Sequence, residues 1–447
     1  MKDPFFRSMT TFLCRLGWGG PPPIGVATHP TREFSLQQAL ANILALLSGS
    51  ALSQGLSAVV LIIIARQIGP EAYGQYSASI ALVGLTTVFF SLGLENWLLY
   101  QGGRDRDRIG DWSTAALSLA TLLSTVWLIG LWGIAPYLNQ SSLPRQLVVL
   151  AAVSLWLEEV ASITWSAFKV CLRNDLVLLL MTLSQGGFLG ISLVLAAGHI
   201  QNPGSYMGGK LLASCLGTVV SVILLVHRFR LHLRWQALWT TLRRTLPFAA
   251  SIGFSIIYGR ADLAIIGHEL GKEAAGIYAP ALTLTNALFL IPAAIYGVVV
   301  PILSRGYVLD QVWVRRISTR LILAMIPLGA VLGLGLAWLS HPLVEILYGA
   351  PFQSSGDVLA LLSRILILRC PTIALAAVLV AGGRQMRRVK IQAIAAITNV
   401  ILNFLVVHQL GVMGVATVYL LTDAILLLGH MGAFLLWMVQ EHKKTIH

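Results

Sequence analysis

Sorted into apolar and polar positions, the chain alternates long apolar runs with short charged stretches. Twelve runs stand out, at 39–65, 77–100, 112–134, 146–168, 175–197, 206–226, 246–268, 278–304, 321–340, 355–380, 391–407 and 412–437. Runs of roughly 20 residues suit a helix crossing a hydrocarbon core of about 30 Å. Lipid offers backbone groups no partners, so only helices and closed barrels survive there. Barrel strands would alternate over about ten residues, whereas these runs are longer and continuously apolar. The pattern predicts an all-α polytopic membrane protein with about 12 transmembrane helices.

One stretch occurs twice. Leu61–Ala78 returns 202 residues later as Leu263–Pro280, with eight of 18 aligned positions identical. The matches include Gly69/Gly271, Glu71/Glu273, Ala72/Ala274, Gly74/Gly276 and Tyr76/Tyr278. Each copy joins one apolar run to the next, so the chain reads as two related halves, 39–226 and 246–437, of six runs each. Both halves start on the same side, which makes them parallel repeats, and substrate sites of such repeats lie where the halves meet. The copied turn suits a tight helix–helix connection, with the glutamate near the next helix N-terminus.

Composition agrees. Hydrophobic residues make up 56% and charged residues 11%, against about 25% charged in soluble domains; mean hydropathy is +0.78. Lys and Arg outside the runs divide twenty-four to three between alternate sides. By the positive-inside rule both termini face the cytoplasm. This gives a cytoplasmic N-terminal arm (1–38), a basic linker (227–245) and a cytoplasmic tail (438–447). The linker, with Trp235 and Trp239, reads either as an amphipathic helix on the membrane surface or as a plain basic connector. The +13 formal charge marks topology and attraction to anionic lipid; no basic run is interleaved with an aromatic platform, so nucleic acid is not a partner. Cys14, Cys171, Cys215 and Cys370 are far apart and imply neither a metal site nor a disulfide framework. There is no Walker A motif, catalytic triad or metal motif, so no cofactor and no enzymatic role are expected.

The run Ala65–Tyr76 (ARQIGPEAYGQY) resembles the segment after the first helix of Wzx-type polysaccharide repeat-unit flippases, of the multidrug/oligosaccharidyl-lipid/polysaccharide exporter superfamily. Further matches are Ser91–Glu95 (SLGLE), Arg260–Asp262 (RAD), Gly276–Tyr278 (GIY), Pro301–Arg305 (PILSR) and Leu410–Gly414 (LGVMG), and the resemblance covers about 36–437. It implies two six-helix lobes around a central cavity, in the inner (plasma) membrane. It implies alternating access that carries undecaprenyl-diphosphate-linked oligosaccharide from the inner to the outer leaflet. Membrane lipids, a polysaccharide polymerase and chain-length machinery are the partners such a role brings.

Charges inside the runs are the candidate site, because one at mid-bilayer costs roughly 2.5–3.5 kcal/mol on insertion scales. Arg260, Arg364 and Arg369 suit a lipid diphosphate, since guanidinium gives bidentate, permanently charged donors to phosphate. Lys210, near the outer end of its run, either joins them or snorkels. Arg364 and Arg369 are five apart, about 140° around a helix, and need not share a face. Among the acids, Glu158, Glu159, Asp262, Asp423 and Glu95 either neutralise these cations or carry a coupling ion. Asp262 and Asp423 read better as counter-charges; Glu158 and Glu159 stay open. Asn399 and Asn403 share one face and read as interhelical glue. A drug or organic-cation antiporter of the same superfamily would want a net acidic lumen, against the arginines here. A membrane glycosyltransferase or polymerase would want a substantial outer loop, and the outer loops are short.

Overall fold

The computed structural model describes residues 36–104, 108–138, 144–171, 173–229, 235–309 and 311–446, and no strand occurs among them. Residues 42–447 form one unit. Of the separate unit 1–41, only the helical residues 36–41 are described, so the expected N-terminal arm lies almost wholly outside the description. In chain order the helices are α1 (Leu36–Thr86), α2 (Val88–Ser91), α3 (Leu94–Arg104), α4 (Ile109–Leu138), α5 (Arg145–Val170), α6 (Asn174–Ala197) and α7 (Pro203–Arg228). Then come α8 (Trp235–Glu269), α9 (Lys272–Leu288), α10 (Leu290–Leu309), α11 (Gln311–Trp338), α12 (Ser340–Tyr348), α13 (Ser355–Leu362), α14 (Ile365–Ala381) and α15 (Gln385–Ile446).

The chain is a multi-pass membrane protein. Nine helices among the described residues are long and apolar enough to cross a membrane. Two of them, Leu52–Gly102 and Gln385–Met438, run 51 and 54 residues. At 1.5 Å per residue each is more than twice as long as a bilayer core is thick. Both are interrupted by a non-helical glycine, Gly69 in α1 and Gly411 in α15. The run expected at 246–268 lies on α8, which continues without interruption from Trp235. The stretch 235–245 is therefore helical and continuous with that run, while 230–234 lie outside the described residues.

Burial separates lipid-facing helices from central ones. The most apolar windows of α6 and α11 are only 22% buried, against 61% for the segment Ser355–Ala381. Leu183, Val194, Leu323, Val331 and Leu334 are among the large apolar side chains left exposed. So broad an apolar surface is stable in lipid and not in water. In the first half α7 packs on α5 and α6, and α5 also packs on α3 and α4; in the second, α14 packs on α10, α11 and α15, and α15 on α8. The halves meet where α8 packs against α2, α3 and α4.

The halves also meet at the repeated turn. Gly69 (φ 77, ψ 173) and Gly271 (φ 88, ψ −175) take the same left-handed backbone, which only glycine adopts without strain. The two turns then press on each other reciprocally. A Cβ on Gly74 would overlap the carbonyl oxygen of Lys272 and stand 2.6 Å from the amide nitrogen of Gly276. A Cβ on Gly276 would overlap the carbonyl of Pro70, the residue equivalent to Lys272. Lys272 also forms an ion pair with Glu71. Tyr76 and Tyr278, the aligned tyrosines, are both fully buried. The repeat is thus an interface, each copy being the surface on which the other closes.

Candidate functional site

A cavity of about 430 Å³ opens between the helices α8, α9, α14 and α15. Its lining includes Arg260 and Tyr258 from α8, Asn286 from α9, Phe289 after it, Arg369 from α14, and Gln392 and Tyr419 from α15. Among the described residues that line it there are two arginines and no carboxylate. Pro371, inside α14, removes a ladder hydrogen bond just beyond Arg369.

Arg369 is held in a cage. Its Nη2 donates to Asp423 Oδ2 at 2.7 Å and to the hydroxyl of Tyr258 at 3.3 Å, and lies 3.5 Å from the hydroxyl of Tyr419. Its guanidinium carbon stands 5.2, 4.9 and 5.8 Å from the ring centres of Tyr258, Phe289 and Tyr419. Asp423 is fully buried, whereas Arg369 keeps 18% of its side chain exposed. A charge taken this far from water needs a partner, and ring faces add cation–π attraction. Asp423 is accordingly the counter-charge of Arg369.

Arg260 reaches the other way, across the boundary between halves. Its Nη1 lies 3.5 Å from the carbonyl oxygen of Ile80, and its guanidinium fills the space where a Cβ on Gly84 would sit. It also feels the charge of Glu158. Asp262, two residues on, faces away, as residues two apart on a helix must. It accepts from Asn403 Nδ2 at 2.7 Å and from the Tyr278 hydroxyl at 3.1 Å. Asn403 donates to Asn399 at 3.1 Å, and Asn399 in turn lies 3.4 Å from the Thr422 hydroxyl. Asp262 is therefore part of a neutral-donor network fixing α8 to α15, with no arginine in it.

Glu158 and Glu95 pair with lysines within the first half. Lys210 forms an ion pair with Glu158, which also accepts from Ser214 at 3.1 Å. Glu95 accepts from Lys169 at 2.8 Å and from Ser162 at 2.6 Å. Glu159 differs: it has no bonding partner among the described residues and feels only the like charge of Glu95. Arg364 stands exposed at the junction of α13 and α14, outside the cavity lining. The structure therefore brings Arg260 and Arg369 to one cavity, puts Lys210 with Glu158, and leaves Arg364 apart. Tyr419, Phe289 and Gln392 were not singled out by sequence. Tyr419 carries a legible signal, being four residues before Asp423 and so on the same helix face; Phe289 sits in a helix break that hydropathy does not show.

Residues 63–357 match the family model described as polysaccharide biosynthesis protein. No curated protein matches the chain. Among solved structures, the fold is similar to that of MurJ, a lipid II flippase in an inward closed conformation, with a TM-score of 0.68 and 15% identity over 87% of each chain. It is similar to an inward-facing multidrug resistance MATE family transporter of the MOP superfamily, with a TM-score of 0.66 and 14% identity over 88% of this chain and 96% of that one. A mutant of the Vibrio cholerae MATE transporter VcmN gives a TM-score of 0.63 and 13% identity, over 89% and 96%.

Proposed function

The chain belongs to the polysaccharide biosynthesis protein family, and from that premise we propose that it is a flippase for undecaprenyl-diphosphate-linked oligosaccharide. It carries that lipid from the inner to the outer leaflet of the inner membrane by alternating access, without breaking a bond. The observation that carries this reading is the pair Arg260 and Arg369 on one cavity whose described lining has no carboxylate. A diphosphate is the ligand such a lining recognises, because guanidinium forks match its oxygens and keep their charge in low dielectric. About 430 Å³ accommodates the diphosphate and the first sugar, while the prenyl tail stays in lipid. A flippase of lipid II has the same fold, which is the precedent for a lipid-linked cargo in this architecture.

A carrier of organic cations is the other reading its fold allows. Its lumen would expose carboxylates, but Asp423 is fully buried behind Arg369 and Glu158 is paired with Lys210. Glu159 is the acid with neither a counter-charge nor a hydrogen-bond donor among the described residues, and in this proposal it takes up the proton that couples flipping to a gradient. Binding separates the readings. Purified protein in neutral detergent is titrated with fluorescent undecaprenyl diphosphate, and then with tetraphenylphosphonium. The diphosphate lipid should bind, and Arg369→Gln should weaken it by about ten-fold or more, the loss expected for a hydrogen bond to a charged group. Saturable binding of the cation with none of the diphosphate would replace the flippase reading by the antiporter.

A further inference from the structure

A second cationic cluster lies beyond the cavity, and the mechanism above does not use it. It sits where α10, α14 and α15 end or begin, on the end of the body that the charge bias places in the cytoplasm. Arg384 Nη1 donates to the Tyr307 hydroxyl at 3.1 Å, and its guanidinium lies 5.6 Å from the Trp437 ring centre. One turn on, Arg388 Nη1 donates to the Tyr296 hydroxyl at 3.0 Å and stacks 5.8 Å from that ring.

Topology signals need only exposed charge, yet Arg387 and Arg388 turn polar atoms inward. Among the described residues, Arg387 Nη1 and Arg388 Nε are buried without a hydrogen-bond partner, and neither side chain has an ion pair. His430, 2% exposed, faces the same region and feels the charge of Arg388. Its Nδ1 donates to the Leu426 carbonyl at 2.7 Å, because a carbonyl can only accept, and its Nε2 is buried and unpartnered. Buried donors on permanent cations normally find partners, and each one left unmet is costly. The oxygens of an anion are acceptors of the kind these donors lack.

The cluster is also in line with the cavity. Gln392 lines the cavity, and Arg388 lies one turn before it on α15. Leu426 lines it too, and His430 lies one turn after it on the returning arm of the same helix. The two arms are in close contact at this level, since a Cβ on Gly429 would stand 2.6 Å from the Ile391 side chain. One turn is about 5.4 Å of axial rise, so the cluster begins about one turn beyond the cavity's lining.

We propose that Arg387, Arg388 and the Tyr296 hydroxyl form a phosphate-binding subsite, which holds the diphosphate of the lipid substrate on the cytoplasmic side before that group moves to Arg369. The inference rests on the flippase reading for its cargo, but its chemistry is that of any phosphate on a lipid headgroup. The test uses the full chain in phosphatidylcholine nanodiscs, with undecaprenyl diphosphate and phosphatidylglycerol as separate probes. Wild type is compared with Arg369→Gln, with Arg387→Gln/Arg388→Gln, with their triple combination, and with Lys390→Gln as an exposed control on the same helix.

Undecaprenyl diphosphate should bind Arg369→Gln measurably. The triple variant should lose that residual binding by about ten-fold or more, and Lys390→Gln should bind as wild type. Phosphatidylglycerol in equal amount should not displace it. Tyr296→Phe removes only a hydroxyl and keeps the readout available if the double variant does not fold; it should weaken residual binding about three-fold. Unchanged binding in Arg387→Gln/Arg388→Gln and in Tyr296→Phe, with all of it lost in Arg369→Gln, would overturn the subsite and leave the main cavity standing. Displacement by phosphatidylglycerol would overturn the cargo assignment and make the cluster a phospholipid headgroup site. Binding of phosphatidylglycerol that depends on the cluster, with no diphosphate lipid bound by wild type, would instead overturn the flippase reading while the phosphate chemistry stood.

Discussion

The crossing of the repeated turns and the Arg369 cavity are built from opposite materials. At the crossing, Gly74 and Gly276 bring backbone onto backbone with no room for one methyl group. The aligned tyrosines there are fully buried, and the joint is close-packed. At the cavity, Arg369 and Arg260 keep charge beside open volume, and aromatic rings replace part of the lost hydration. Such contrast is what alternating access requires. In the proposed flippase one end would separate as a unit, which steric and reciprocal contacts suit, and the other would receive an ionic group, which polar and incompletely used contacts suit. Packed interfaces are bistable and do not deform continuously, which suits the crossing to a gate.

The comparison breaks most visibly at Asp423. Asp423→Asn leaves Arg369 without its counter-charge and should cost about 3–5 kcal/mol, read as a lowered thermal midpoint in detergent. Replacing the pair, Arg369→Met with Asp423→Leu, should recover most of that stability while flipping stays lost. Flipping at the wild-type rate in that double variant would show that the cage is scaffolding only.

At the crossing, Gly74→Val and Gly276→Val should each destabilise by about 1–3 kcal/mol through overpacking, and to a similar degree because the contact is reciprocal. Gly55→Ala, where a Cβ meets nothing within 4 Å, is the matched control and should lose nothing. A large difference between the two valine variants would deny that the copies close on each other.

Arg260 sharpens the contrast from the cavity side. Arg260→Gln should slow flipping about ten-fold with the thermal midpoint unchanged. Gly84→Leu, which occupies the guanidinium's place, should reproduce that defect without altering any charge. The smallest effect belongs to Arg364: exposed and outside the cavity, its change to Gln should stay within about two-fold, as surface substitutions do.

Much of this was legible in the chain, for identifiable reasons. Lipid forces every crossing segment to bond internally, so the apolar runs fall mainly on helix, with breaks inside some of them, as at Leu92–Gly93. The duplicated turn announced a relation between halves, because Gly69 and Gly271 serve one backbone geometry. The spacing of Arg260 and Asp262 announced that they point apart. Sequence could not tell that Gly74 and Gly276 press on each other, since that contact is set by how the halves approach. Nor could it separate Arg364 from Arg369: both lie in one apolar run, and only the break before Ile365 puts one outside and one in the cavity. Phe289 and Gln392 reach the cavity through packing that hydropathy does not encode.

The central claim is tested most directly by flipping in proteoliposomes. Wild-type protein, Glu159→Gln and Arg369→Gln are each given a fluorescent undecaprenyl-diphosphate-linked oligosaccharide, with and without a proton gradient. The account predicts gradient-stimulated flipping by wild type, flipping without stimulation by Glu159→Gln, and none by Arg369→Gln. Wild type that leaves the lipid-linked sugar in place but exports organic cations under the same gradient would contradict it.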